Sequence, residues 1–188
     1  MSHSNELDIL QLTAKLQQRK IITSERNLLS YAENAMFYGS VLMNIDKSRE
    51  ALECFRFSNV IFQAKFGCNH LTVAENLHYT GFILEKLSTS ANSRRSLEEA
   101  LELLTEALRI RKLHLVESHP DLEETLLCLG RTHHKLGNFG DALHFLTDAV
   151  KARDDRLGSM QARMDDADAL IQVGQLQQQS GKLVCDKK

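Results

Sequence analysis

The residues best equipped for chemistry are eight histidines and four cysteines. His133, His134 and His144 stand close together, and a zinc site needs three or four such ligands converging on one point. Neighbouring positions on a helix point about 100° apart, so His133 and His134 do not chelate one ion, and no further ligand is spaced near them. Neither a metal nor a cofactor is expected. Cys54, Cys68, Cys128 and Cys185 are scattered without a CxxC pair, which predicts reduced thiols packed as small apolar residues. None stands beside a candidate base in a nucleophile motif. The chain also lacks a phosphate-binding glycine loop, HExxH and a nucleophile elbow, so no catalytic residue is expected and the reading is not an enzyme.

One group suggests recognition instead of reaction. Arg131, His134 and Lys135 share a helical face at three- and four-residue spacing, a cationic set able to meet a carboxylate of a bound peptide. The other reading is a solvated charged face. On the binding reading, exchanging Arg131 and Lys135 for glutamate should weaken the binding while leaving helicity and melting almost unchanged. The stripe Glu98, Glu99, Glu102 and Glu106 is most simply the solvent face of its helix, with Arg109 giving Glu106 a weak pair.

The elements that must position these residues are helical. One proline, nine glycines and 6% aromatics fit an almost wholly helical chain. The 23 basic and 25 acidic residues are intermixed for a net charge of −2, leaving no electrostatic footprint for nucleic acid or an anionic membrane. Nothing approaches 18 consecutive apolar residues, and the amino terminus lacks the basic region of a signal or transit peptide. A cytoplasmic address is expected, with the nucleus as the alternative.

Two copies of one helix, EEALELLTEAL and GDALHFLTDAV, lie 42 residues apart. Such a period marks units too small to bury their apolar faces alone, which stack on their neighbours. Helices are predicted from Thr23 or Ser24 to about Asn44, from an Asp46 cap to Gly67, and from Asn69 and His70 onward. A capping box at Ser96 and Glu99 starts the next, which runs to about Leu115. Pro120 opens another, the following one ends near Gly158, and a last one stops near Gly181. Gly39, Gly81, Gly130 and Gly174 fall inside helices, where a glycine costs about 1 kcal/mol relative to alanine, so a closely approaching helix is expected at each. Aligning them puts Ala51, Ala100 and Ala142 in one column and Ser58, Ala107 and Ala149 in the next. Seven extra residues between Gly81 and Ala100 are assigned to a surface turn, Ser88 to Arg95. His70 and His119 share a column before a helix, which predicts a structural role in the turn.

These columns resemble the tetratricopeptide repeat, with a Leu-Gly pair in its first helix and two alanines in its second. The 42-residue period, longer than the usual ~34, resembles the kinesin-light-chain type, whose units are joined by a Leu-Gly-x-x-His-Pro linker. That column reads Phe66, Gly67, Cys68, Asn69, His70, Leu71, then Leu115, Val116, Glu117, Ser118, His119, Pro120. Leu129 is the only clean Leu-Gly partner, and no heptad coiled coil precedes the repeats, so a motor subunit is not expected. The resemblance implies an all-α, right-handed α-solenoid of about three and a half helix pairs. Its parts are an N-terminal capping helix (1–22), units at about 32–73, 74–122 and 123–164, a half unit at 165–181, and a tail at 182–188.

The resemblance further implies a concave face lined by the first helix of each unit. Its lining would come from Glu33, Met36, Ser40 and Met43, then Glu75, His78, Phe82 and Lys86, then Glu124, Leu127, Arg131, His134 and Lys135. Peptide contacts are assigned to Met36, Met43, His78, Phe82, Leu127, Arg131, His134 and Lys135. The expected job is an adaptor or scaffold holding a peptide or helix of a partner protein. The alternative is self-association through an open carboxy-terminal end at Ile171, Val173 and Leu176.

Overall fold

The computed structural model describes residues 25–88 and 93–158. The capping helix at 1–22, the half unit at 165–181 with Gly174, the tail, and Ile171, Val173 and Leu176 lie outside the described residues. Six helices follow one another: α1 (Glu25–Asn44), α2 (Ser48–Phe66), α3 (Leu71–Leu87), α4 (Ser93–His114), α5 (Pro120–Leu136) and α6 (Phe139–Leu157). There is no strand among the described residues. Each helix packs on its neighbours in sequence, and α3 also touches α5, so the first helices of successive pairs lie side by side.

The interior glycines do what their spacing implied. A Cβ at Gly81 would stand 2.7 Å from Leu104 Cγ, one at Gly130 2.7 Å from Leu146 Cγ, and one at Gly39 3.0 Å from the Phe55 ring. All three partners, Phe55, Leu104 and Leu146, are buried and come from the second helix of the pair. The small-residue columns meet the same crossings: Ala51, Ala100, Ala142, Ser58, Ala107 and Ala149 are all buried. Ser58 keeps a hydroxyl there because it donates to Asn76 Oδ1 at 2.6 Å, linking α2 to α3 inside the core.

Helix starts differ from expectation at two places. Asp46 is not the cap of α2. It takes a left-handed conformation (φ 61°), the N-cap position falls to Lys47, and the Asp46 carboxylate instead accepts from Lys86 Nζ at 2.6 Å. Likewise Ser96 and Glu99 are not a capping box, because α4 begins at Ser93. Four of the seven extra residues thus lengthen α4 at its start, and Glu99, a turn inside the helix, pairs with Arg56 of α2 at 2.8 Å.

The histidine column proves to be a column of caps. Thr72 N–H donates to His70 Nδ1 at 3.2 Å, and Asp121 N–H donates to His119 Nδ1 at 3.2 Å. Each imidazole satisfies an orphan donor in the first turn of α3 or α5, the work that Asn or Ser does more often. The His70 ring also stacks on Phe66 (centroids 4.5 Å apart), tying the end of α2 to the start of α3.

Candidate binding face

The face formed by α1, α3 and α5 divides into a closed half and an open half. At the closed half, Glu85 of α3 is only 5% exposed. Burying a carboxylate in this way costs several kcal/mol unless partners surround it. The partners are Arg131 Nη2, 3.3 Å from Glu85 Oε2, and Lys135 Nζ, 2.8 Å from Glu85 Oε1. Lys135 Nζ also donates to the Glu85 carbonyl oxygen at 2.8 Å. The Arg131 guanidinium further lies 5.8 Å from the centre of the Phe82 ring and donates to Cys128 Sγ at 3.1 Å.

The basic set read from the sequence is therefore not a free clamp. Residues at 131 and 135 spend their charge on a carboxylate 46 and 50 positions away in the chain. Only His134 stays exposed and clear of Glu85, its ring 5.7 Å from Phe139. Glutamates at both positions would face a buried third one, which argues against the expectation that melting stays unchanged.

His78, expected on the lining, is buried with 1% exposure. Its Nε2 lies 3.6 Å from Glu124 Oε2, and its Nδ1 is 3.5 Å from Thr125 Oγ1. Burial holds its pKa below the ordinary imidazole value, and the hydrogen bond to His78 lowers that of Glu124. Beside it, the buried Arg111 donates to the Asp121 carbonyl oxygen at 2.7 Å. Position 78 belongs to the seam between α3 and α5 because α3 rotates its 78 side chain toward α5, a packing angle that helical spacing alone does not contain. Met43 and Leu127 are half-buried against the core, while Phe82 is half-buried beneath Arg131.

The open half is a cleft of about 450 Å³ between α1 and α3. Helix α1 supplies Glu33, Met36, Phe37 and Ser40. The end of α2 supplies Phe62 and Phe66, and α3 supplies Thr72, Glu75 and Tyr79. Glu33, Met36, Ser40 and Glu75 were foreseen by their positions on first helices. The aromatic floor from α2 was missed: Phe66 was read only as part of the linker column, Phe62 was not singled out, and it is the gap between α1 and α3 that puts them on the cleft. The tight stack of Phe62 on Phe66 (6.0 Å) and of Tyr79 on Phe55 (5.1 Å) makes the walls firm.

Among the described residues no group of three or more His, Cys, Asp or Glu could hold a metal ion. His133 stacks on Phe145 (5.2 Å) with its Nδ1 3.7 Å from Asp141 Oδ2, and His144 pairs with Asp148 one turn on at 3.2 Å. Burial pushes the Cys128 thiol up to about 11, so at neutral pH it is a packed thiol and not a nucleophile. No described helix is long and apolar enough to cross a membrane.

Comparison with known proteins matches this geometry. Residues 79–155 match the family model of the tetratricopeptide repeat. Two crystal structures from Podosopora anserina, of TPR-like repeats named for kinesin light chain, share the fold with a TM-score of 0.58 and 20% identity. The first aligns over 84% of this chain and 72% of its own, and the second, a Q17M form, over 97% and 87%. No curated protein matches the chain. Residues 79–155 thus match a tetratricopeptide repeat, and the described helices share the all-α fold of these TPR-like repeat structures.

Proposed function

We propose that this tetratricopeptide-repeat chain is a non-catalytic adaptor that holds an extended peptide or a helix of a partner protein along the face of α1, α3 and α5. The observation that carries the reading is the cleft between α1 and α3. It is a preformed concavity with firm aromatic walls on the face where first helices lie side by side, so a partner segment would be ordered there without reorganising the scaffold. Met36 and Phe82 offer apolar contact on that face, and His134 the exposed polar one. Scattered cysteines fit a reducing compartment, the cytoplasm or the nucleus.

The test is selection of random peptides on the immobilised protein. Binders are then mapped by photo-crosslinking from benzoylphenylalanine placed at Ser40, at Glu124 and, away from the face, at Arg49. Crosslinks at Ser40 and Glu124 are expected. Binders that crosslink only at Arg49, or a selection with no binder, would contradict the reading.

Self-association is the second reading. The described feature in its favour is on α1, where Tyr31, Tyr38, Val41 and Ile45 recur at helical spacing and are all exposed. Light scattering across a tenfold range of concentration separates the two: a constant 21.3 kDa dismisses self-association, and a concentration-dependent rise supports it.

A further inference from the structure

We infer that the cleft between α1 and α3 takes the cationic side chain of a partner peptide, an arginine or lysine. This rests on the reading of the face as a peptide-binding surface and names the chemistry of its occupant. The charge accounting of the face leads to it. Arg131 and Lys135 bracket Glu85, Lys86 pairs with Asp46, and Glu124 sits beside a His78 whose burial favours the neutral ring, so these three cations are matched by three carboxylates. What is left over is acidic: Glu33 and Glu75, which both line the cleft, have neither a hydrogen bond nor an ion pair among the described residues.

Glu75 is the more telling of the two. It is half-buried, and burial pushes its pKa above the usual carboxylate value, against the pull of Arg111. Arg111 does not reach it as a partner, because its guanidinium is held by the Asp121 carbonyl and the Thr125 hydroxyl. A carboxylate kept half-buried without a partner among the described residues loses stability, and a cation entering the cleft would remove that cost. The surrounding surfaces suit a cation as well. The walls carry the rings of Phe37 and Tyr79, aromatic surface of the kind that attracts a guanidinium or ammonium, while the faces of Phe66 are taken by Phe62 and His70. Phe37 is 71% exposed, an open flank for the stem of a long side chain. Arginine should be preferred to lysine, since its planar group can both stack on a ring and bridge carboxylate oxygens.

The polarity is the reverse of the one suggested by the run of Arg131, His134 and Lys135. An acidic peptide segment would find those cations occupied, and Glu33 and Glu75 facing it.

The probe is a capped, alanine-rich hexapeptide with one central arginine, set against counterparts carrying citrulline or glutamate there. Binding is followed through the methyl resonances of Met36, which lines the cleft, and Met43, which does not. The arginine peptide should shift Met36 and leave Met43 in place. Citrulline, of the same shape without charge, should bind about fivefold to tenfold more weakly, and glutamate should not bind. Glu75→Gln should weaken the arginine peptide by a similar factor and Glu33→Gln, being exposed, by less, with both variants retaining the wild-type circular dichroism spectrum. A still Met36 at millimolar arginine peptide, or equal affinities for arginine and citrulline, would overturn the inference. So would an unchanged affinity in Glu75→Gln. Failure here is separable from failure of the adaptor reading. Selected peptides that crosslink at Ser40 yet lack any basic residue would keep the face and sink the cation site.

Discussion

Lys135 and Glu85 meet twice across the seam between α5 and α3. The Lys135 ammonium lies 2.8 Å from a Glu85 carboxylate oxygen and 2.8 Å from the Glu85 backbone carbonyl oxygen. With Arg131 on the other carboxylate oxygen, the contact locks the ends of two repeat units together. The double exchange Arg131→Glu and Lys135→Glu places three carboxylates in a site where one is buried. Breaking a fully buried pair costs about 3–5 kcal/mol; both cations here are a third exposed, so about 2 kcal/mol is expected after solvent screening. Melting followed by circular dichroism should fall by roughly 4–8 °C for a domain of this size. An unchanged melting temperature would mean that the seam contributes nothing.

The glycine crossings make a ranked prediction. Gly81→Ala and Gly130→Ala each drive a methyl into Leu104 or Leu146 at 2.7 Å, which should cost about 1–3 kcal/mol despite the ~1 kcal/mol gain in helix propensity. Gly39→Ala meets the edge of the Phe55 ring at 3.0 Å, so it should cost less. Urea denaturation of the three single variants checks the order.

The histidine caps predict a rescue. His119→Ala removes the acceptor of the Asp121 N–H and should cost about 1 kcal/mol, the usual worth of an N-cap, whereas His119→Asn should restore most of it. The same pair of changes at His70 should behave alike, with a further loss from the stack on Phe66. Denaturation midpoints for the four variants decide it.

Two groups give the stability opposite pH slopes. Burial lowers the His78 pKa from 6.5, next to Glu124, Arg111 and Arg131. The unfolded chain then binds more protons than the fold, so stability is full above about pH 6.5 and falls as the pH drops below it. Glu75 works the other way. Its pKa is raised from 4.5, so the fold gains stability as the pH falls through that raised value. Glu75→Gln should therefore stabilise the protein at pH 7.5 by about 0.5 kcal/mol and steepen the acid loss, while His78→Gln should flatten the loss below pH 6.5. Melting temperatures between pH 5 and 8 for the three proteins test both signs. A stabilising Glu75→Gln that also weakens the arginine peptide would mark Glu75 as a residue kept at a cost to stability.

Much of the fold was legible because it is written locally and then repeated. The apolar spacing located all six described helices, and the repeat, with seven extra residues between Gly81 and Ala100, aligned Gly39, Gly81 and Gly130 with the small-residue columns of the helices they cross. His70 and His119 were recognisable as turn residues from their shared column. The two misplaced helix starts have one feature in common. Asp46 and Glu99 have side chains suited to capping, but each finds a cation on another helix, Lys86 and Arg56.

The binding face shows where the division lies. The resemblance to the tetratricopeptide repeat implied that α1, α3 and α5 share one face, and helical spacing nominated residues for it, because a helix converts spacing into direction. Only the tertiary structure decided which of those charges are free. The partner of Lys135 is 50 residues away, on a helix whose rotation is set by close packing at glycine and alanine crossings. Spacing shows which way a side chain points, and packing sets what it meets. The cations at 131 and 135 therefore close the seam, while Glu33 and Glu75 line the cleft.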